Sequence, residues 1–334
     1  MSTILVTGAT GFLGRHVVRV LAAVGHEVLA LSRGGTELEG ATRNLKGDVT
    51  CREDMDRACE GVDMVVHGAG MVSADPEDAG LLYALHVGGT ETTLAAAKAA
   101  GVQRVVHIST SGTVAVSETR QMMDEDHETP RQLIQRWPYY RTKLYAEELA
   151  LAASEPGFEV LSLNPSLLLG PGDVTGEATK SVRMFLDDQV PMAPPGGISF
   201  VDVRDVAEAV KAALSQGRAG QRYLLAGGNM PFTAYYQRLA QVTDRPAPAG
   251  RAPRFVKRIF EFLPGLGKEE VGFGFSVDRV GLLQACHFWY CDDSRARKDL
   301  GFWTRDPNTT LRDTCADILW AGGSRFAAPE RTGA

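Results

Sequence analysis

The sequence predicts an α/β protein, a doubly wound parallel sheet with a smaller lobe toward the C-terminus. Three observations carry that reading. A short apolar strand, residues 3–7, runs into glycines spaced three apart (Gly8, Gly11, Gly14) and then into an apolar helix. Strand-like and helix-like segments go on alternating through five strands. The strands themselves read as near-continuous apolar runs, residues 62–67 for example, which suits parallel strands covered on both faces.

The bulk properties set the limits. A chain of 334 residues, 44% apolar and 23% charged, has room for one large or two smaller cores. A net charge of −6 and a pI near 5.7 argue against a nucleic-acid partner. No stretch is long and apolar enough to span a bilayer. The N-terminus opens on a strand, without the charged region and apolar core of an export signal. Cys51, Cys59, Cys286, Cys291 and Cys315 are scattered, with no CxxC or metal-like spacing. That pattern points to a reducing cytoplasmic setting with free thiols and no metal site.

The opening glycine loop is built to receive phosphate. Glycine reaches positive φ and lets a ligand approach the backbone closely, and the following helix aims free N–H groups at an anion. GxxGxxG is a variant of the dinucleotide fingerprint. Gly8, Thr10, Gly11, Phe12, Leu13 and Gly14 are therefore expected at a pyrophosphate; a glycine-rich turn that binds nothing is the alternative. Residues 27–31 form the second strand and end in Ser32-Arg33. In a dinucleotide fold an acid at this place holds the 2′-hydroxyl of NAD, and an arginine accommodates the 2′-phosphate of NADP. Arg33, whose planar fork matches a phosphate, points to NADP(H); a solvated loop arginine is the other reading.

Residues 42–46 read as the third strand, with Asp48 and Val49 just past its end. Asp48 is placed either to accept from the adenine amino group or to cap the helix beginning near Arg52. Strand 62–67 ends in Gly68-Ala69-Gly70, and Ala69 and Gly70 are small enough for a cofactor to lie against them. His67 and His107 each close a strand and are read as packed or hydrogen-bonded. Residues 81–100 read as one helix stopped by Gly101. Residues 104–108 form the fifth strand and run into Ser109-Thr110-Ser111-Gly112-Thr113. All these candidates fall at the carboxyl ends of strands, where such sheets bind ligands.

Residues 117–136 are polar and expected as a surface loop. Pro138 then opens a helix carrying Tyr139 and Lys143, four apart on one face. An isolated tyrosine titrates at about 10; a neighbouring ammonium stabilises the phenolate and lowers that value, which suits acid–base chemistry. An unrelated Tyr and Lys on a helix surface is the bland alternative. Residues 157–163 form the sixth strand, ending in Asn164-Pro165-Ser166. Residues 200–205 lead into a helix to about Leu214, capped by Asp202 or Asp205. Residues 221–226 read as a strand, 231–243 as a helix and 246–253 as a connector. Residues 254–263 read as a basic amphipathic lid helix rather than a membrane-surface one. Met184, Phe185, Phe255, Phe262, Phe273 and Phe275 are candidates for an apolar pocket, and residues 327–334 are expected to fray. The expected division is a dinucleotide-binding domain of residues 1–166 with about 198–215, and a substrate-binding lobe of 167–197 and 216–326.

Taken together the chain resembles an extended short-chain dehydrogenase/reductase over nearly its whole length. The resemblance rests on residues 8–14, 108–114, Tyr139 with Lys143 and Ala146-Glu147, Asn164-Pro165-Ser166 with Gly170-Pro171, 200–207 and 298–302. It is similar to the dihydroflavonol-4-reductase, 3β-hydroxysteroid dehydrogenase and hopanoid-associated epimerase-like branch of the NAD-dependent epimerase/dehydratase family. That likeness implies a Rossmann-type sheet, with Tyr139 as general acid/base and Lys143 lowering its pKa and holding the nicotinamide ribose. It implies Ser111 polarising a substrate carbonyl, with Ser109 and Thr110 as alternatives, and Pro165 and Ser166 beside the nicotinamide amide. His86 stands where family members often carry Asn, ahead of Gly89-Thr90. The implied function is hydride transfer between NADP(H) and a carbonyl or alcohol of a moderately hydrophobic small molecule. A nucleotide-sugar epimerase or dehydratase with recycled NAD is the alternative within the superfamily. A non-catalytic NADP-sensing protein is a third reading, opposed by the presence of serine, tyrosine and lysine together. Superfamily members commonly pair through the helices matching residues 81–100 and 139–153, so a homodimer is expected.

Overall fold

The computed structural model describes residues 1–253, 255, 257 and 279–321. Its strands are β1 Thr3–Thr7, β2 Glu27–Ser32, β3 Arg43–Lys46, β4 Met64–His67, β5 Arg104–Ile108, β6 Glu159–Pro165, β7 Leu167–Leu169, β8 Gly197–Asp202, β9 Arg222–Leu225 and β10 Gly228–Pro231. Seven of them form one parallel sheet in the order β3-β2-β1-β4-β5-β6-β9. The other three form a small sheet, β10-β8-β7. Order reverses between β1 and β4, so a crevice opens at the carboxyl ends there.

Two helical layers cover the large sheet, and β1 shows why its sequence is apolar without a break. Side chains alternate across a strand: Ile4 and Val6 pack into one core with α1 (Phe12–Ala23), while Leu5 packs into the opposite core. That second core is completed by α2 (Arg52–Cys59) and by the helical stretch Ala79–Ala99. This stretch is not the single α-helix its sequence suggested. It is α3 (Ala79–Tyr83), a π-turn (Ala84–Gly88) and α4 (Gly89–Ala99); the wider turn sets His86 facing inward, 1% exposed.

The segment expected to be a surface loop is tied down instead. Ser117 exchanges backbone hydrogen bonds with Phe288, the Met123 N–H donates to the Tyr290 carbonyl, and Glu125 accepts from the Leu224 amide at 2.9 Å. It also holds a short helix, α5 (Arg131–Ile134), ahead of α6 (Pro138–Ala152). These partners lie far away in sequence, so composition alone could not reveal them.

The chain passes between the two sheets at the cleft. Ser166 alone separates β6 from β7, and Ala226-Gly227 separate β9 from β10. Two expected boundaries therefore move. Residues 197–202, assigned mostly to the dinucleotide-binding part, form β8 in the small sheet. Residues 222–225, assigned to the second lobe, close the large sheet as β9. The remaining helices are α7 (Lys180–Leu186), α8 (Val203–Ala213), α9 (Phe232–Thr243), α10 (Arg279–Ala285), α11 (Ser294–Leu300) and α12 (Pro307–Ala321). Asp202 caps α8, accepting from the Arg204 amide at 2.9 Å, and also binds the Arg305 guanidinium at 2.9 Å. Arg204 reaches on to Asp313 of α12 at 2.7 Å. Pairing of this kind is what lets a carboxylate stay charged when fully buried.

Candidate active site

Every residue singled out for catalysis or for cofactor binding lines one cleft of about 1500 Å³. At one end stands the glycine loop. Gly8 has φ +67°, and a Cβ there would lie 2.6 Å from the Gly68 carbonyl oxygen, on the segment after β4. A Cβ on Gly14 would collide with the Gly8 carbonyl. Helix and strand thus approach so closely that only glycine fits. The Gly11 amide closes the turn onto the Gly8 carbonyl at 2.9 Å. No acidic side chain sits in the first turn of α1, and no side chain caps it. Its N–H groups point into the cleft as an anion cradle beside Thr10, Phe12 and Leu13.

The outer wall of this end carries Ser32, Arg33, Asp48 and Val49. Arg33 is exposed. Asp48 is not the helix cap; Cys51 occupies that position. The Asp48 carboxylate instead accepts from the Thr50 amide at 2.9 Å and hydroxyl at 2.7 Å. These bonds hold its pKa below the usual carboxylate range, and Arg33 adds to the effect.

At the other end the elements converge on Tyr139. Its half-buried ring meets Tyr140 edge-on at 5.0 Å and His86 at 5.7 Å. Burial pushes the phenol up to about 12, while a hydrogen bond with the Thr110 hydroxyl pulls the other way. This corrects the expectation that Lys143 leaves the phenol lowered: burial raises it, and the ammonium instead donates to the Ile108 carbonyl at 2.9 Å. Lys143 itself comes down to about 8, chiefly through burial, with Glu147 acting against the fall.

The three hydroxyls of the strand-end turn separate. Ser109 donates to the buried Glu147 carboxylate. Thr110 meets Tyr139, and Ser111 hydrogen-bonds the buried Cys291 thiol. The Thr110 contact was not anticipated, because neighbouring residues in a turn diverge in directions that sequence spacing does not reveal. Ser166 Oγ is buried at the end of β6 without a hydrogen-bond partner among the described residues. Such an atom in a cleft wall, opposite an anion cradle, fits a polar dinucleotide running between them.

His86 is bound on both ring nitrogens. Nδ1 lies 2.9 Å from the Thr142 hydroxyl. Nε2 lies 3.1 Å from the Met71 carbonyl oxygen and 3.3 Å from the Met71 amide. Burial, with the Lys143 charge behind it, brings this ring down to about 3. His67 is likewise buried and lowered to about 3, set between Thr7 at 2.9 Å and Thr90 at 3.1 Å. Both rings are neutral at pH 7.

Beyond Tyr139 the cleft turns apolar. Tyr140 and Trp289 form a wall, their rings 5.0 Å apart. The Tyr140 ring lies so close over Gly112 that a Cβ there would collide with it. Met184 lines the cleft as expected, but Phe185 does not: it is buried against Tyr236 in the core of the small lobe. Phe255 is 61% exposed and lies outside the wall. Phe262, Phe273, Phe275, most of the expected lid helix and the tail lie outside the described residues.

The model of the NAD dependent epimerase/dehydratase family matches residues 4–226. A protein of Synechocystis sp. with the provisional name dihydroflavonol 4-reductase is 30% identical, covering 94% of this chain and 92% of its own. Sterol demethylase protein B of Methylococcus capsulatus is 33% identical over 74% of this chain and 76% of its own. Among solved structures, that of gox2253 superposes with a TM-score of 0.83 at 26% identity, covering 97% of this chain and all of the other.

Proposed function

Since the chain belongs to the NAD dependent epimerase/dehydratase family, we propose that it is an NADP(H)-dependent oxidoreductase acting on a carbonyl or alcohol of a lipophilic small molecule. The observation that carries this is the continuity of one cleft, from the glycine cradle and Arg33 to Tyr139, Lys143 and Ser111. When bound, the nicotinamide supplies or accepts a hydride. Tyr139 donates the proton to the carbonyl oxygen in reduction, and its high pKa keeps it protonated across the neutral range. Ser111 binds the same oxygen. Lys143 holds the nicotinamide ribose, with Pro165 and Ser166 packed beside the amide.

The far half of the cleft favours a lipophilic substrate over a nucleotide sugar. Among its described residues, Asp173 and Glu177 outnumber Lys180, whereas a diphosphate calls for cationic partners. The Asp173 carboxylate is moreover taken up by Thr175, Gly176 and Thr179. The names of the relatives above, a dihydroflavonol 4-reductase and a sterol demethylase protein, point the same way. All five cysteines are free, in keeping with a cytoplasmic setting, and no helix among the described residues is long and apolar enough to cross a membrane. Leu81, Tyr83 and Tyr145, exposed on α3 and α6, suit a homodimer through that face.

A panel of lipophilic ketones, aldehydes and alcohols, followed by nicotinamide absorbance, tests this reading. Net oxidation of NADPH by a ketone is expected. Epimerised or dehydrated nucleotide sugar formed without net change in absorbance would instead establish the epimerase reading, which the family name also covers. The pH dependence has a definite sign. The ammonium form of Lys143 is the working form and is lost as pH rises through about 8. Reduction at saturating NADPH should therefore hold level through neutrality and fall above about pH 8; a rate that keeps rising to pH 10 overturns the role given to Lys143.

A further inference from the structure

Glu147 is fully buried on α6, one turn beyond Lys143, and does not line the cleft. Its Oε2 is the meeting point of three donors. Ser109 Oγ comes from the end of β5, Thr113 Oγ1 at 2.9 Å from the far side of the turn that carries Ser111, and Asn164 Nδ2 at 2.7 Å from β6. Its Oε1 lies 3.0 Å from Arg222 Nε of β9. The Asn164 amide, with its second N–H, also holds the turn from inside by donating to the Thr110 carbonyl at 3.2 Å. A carboxylate of this kind joins one helix to β5, β6 and β9, and the ends of β5 and β6 form part of the cleft wall.

We propose that Glu147 is a positioning residue for the catalytic set: its carboxylate ties the 109–113 turn to α6 and so fixes Thr110 and Ser111 relative to Tyr139 and Lys143. The inference rests on the Ser/Tyr/Lys reading above. Two properties of the ion matter. A carboxylate is acceptor-only, with about four lone-pair sites over its two oxygens, whereas the amide of the same shape replaces one of those oxygens with an N–H donor group. Its charge also faces the buried Lys143, whose other ionisable neighbours are the neutral rings of His67, His86 and His107 and the phenol of Tyr139 one turn back. Arg222 offsets part of that charge from β9.

The test is the double variant Glu147→Gln/Arg222→Met, which avoids leaving a guanidinium buried without its partner. We expect kcat for ketone reduction to fall at least tenfold, with KM for NADPH within twofold, because the glycine cradle and Arg33 are untouched. The fall in rate with pH should also begin lower than in the parent, since Lys143 loses its counter-charge. A folded variant with parental kcat and pH profile overturns the proposal, whatever its melting temperature. If the double variant does not fold, Thr113→Val removes one donor and no charge. A kcat lowered severalfold at unchanged KM for NADPH supports the inference, and parental kcat overturns it. Tyr139→Phe separates the two levels. If that variant stays active, the Ser/Tyr/Lys reading itself fails; if it is inactive while the Glu147 variant keeps full rate, only the positioning role fails.

Discussion

Tyr139→Phe is expected to bind NADPH as the parent protein does and to reduce ketones about 100- to 10,000-fold more slowly, the range over which positioned acid–base groups act. The substitution is close to a clean removal of one hydroxyl. The ring remains, with its edge-on contacts to Tyr140 at 5.0 Å and His86 at 5.7 Å, so the wall of the cleft keeps its shape. The cofactor cradle at Gly8–Gly14 takes nothing from this side chain. What disappears is the proton that the carbonyl oxygen must receive as the hydride arrives, together with the bond to Thr110. Stopped-flow or steady-state assay of kcat, beside fluorescence titration with NADPH, separates the two effects. A variant with more than a tenth of parental kcat removes Tyr139 from the acid role. Thr110, the hydroxyl already in contact with it, is then the next group to examine.

The sequence signals that proved readable were local ones. β1, the glycine loop and α1 are contiguous, and each position reports its own constraint: an unbroken apolar run for a strand buried on both faces, and glycine where backbones touch. Tyr139 and Lys143 are also local, a spacing on one helix. The features that escaped are those whose partners are remote. The residues near Ser117 and Met123 are polar and look like a loop, yet their backbone pairs with residues 288 and 290. Residues 200–205 read only as the lead into a helix; that residues 197–202 form a strand of the second sheet follows from their pairing with β7 and β10.

The site shows the same division. Placement at strand ends, or on the helices that follow them, brought seventeen candidate positions to one cleft, because topology fixes where strands end. Direction within the wall was beyond reach. Ser109, Thr110 and Ser111 are adjacent in sequence, but the backbone turns between them, and they address Glu147, Tyr139 and Cys291 respectively. Glu147 had one visible signal, its place four residues after Lys143 on the same helix. Its convergent donors come from β5, the turn and β6, and only the folded chain assembles them. The pKa of Tyr139 illustrates the remaining gap. Sequence supplies a neighbouring lysine, while the dominating effect, burial, depends on everything packed around the ring.

Arg33→Ala should cost NADPH roughly 10- to 100-fold in KM while NADH changes less than twofold. A bond between a guanidinium and a phosphate contributes about 1.5–3 kcal/mol, and each 1.4 kcal/mol is tenfold. Exposure of Arg33 places the expected loss toward the lower half of that range, and makes the parent's preference for NADPH shrink as salt rises. The neighbour on the same wall strengthens the argument. Asp48 is held below the usual carboxylate range by its bonds from Thr50, so it is ionised at pH 7 and would repel a 2′-phosphate. In the parent, Arg33 balances that charge; in the variant, the phosphate faces the carboxylate alone. NADH, with a hydroxyl at the same place, meets an acceptor instead of an opposing charge, and its KM should hold or fall slightly. Steady-state KM for both cofactors, measured at low and high ionic strength, decides the matter. A ratio that shifts tenfold or more toward NADH, with the salt dependence abolished, places the 2′-phosphate on Arg33. An unchanged ratio assigns the choice of cofactor to other residues of this wall.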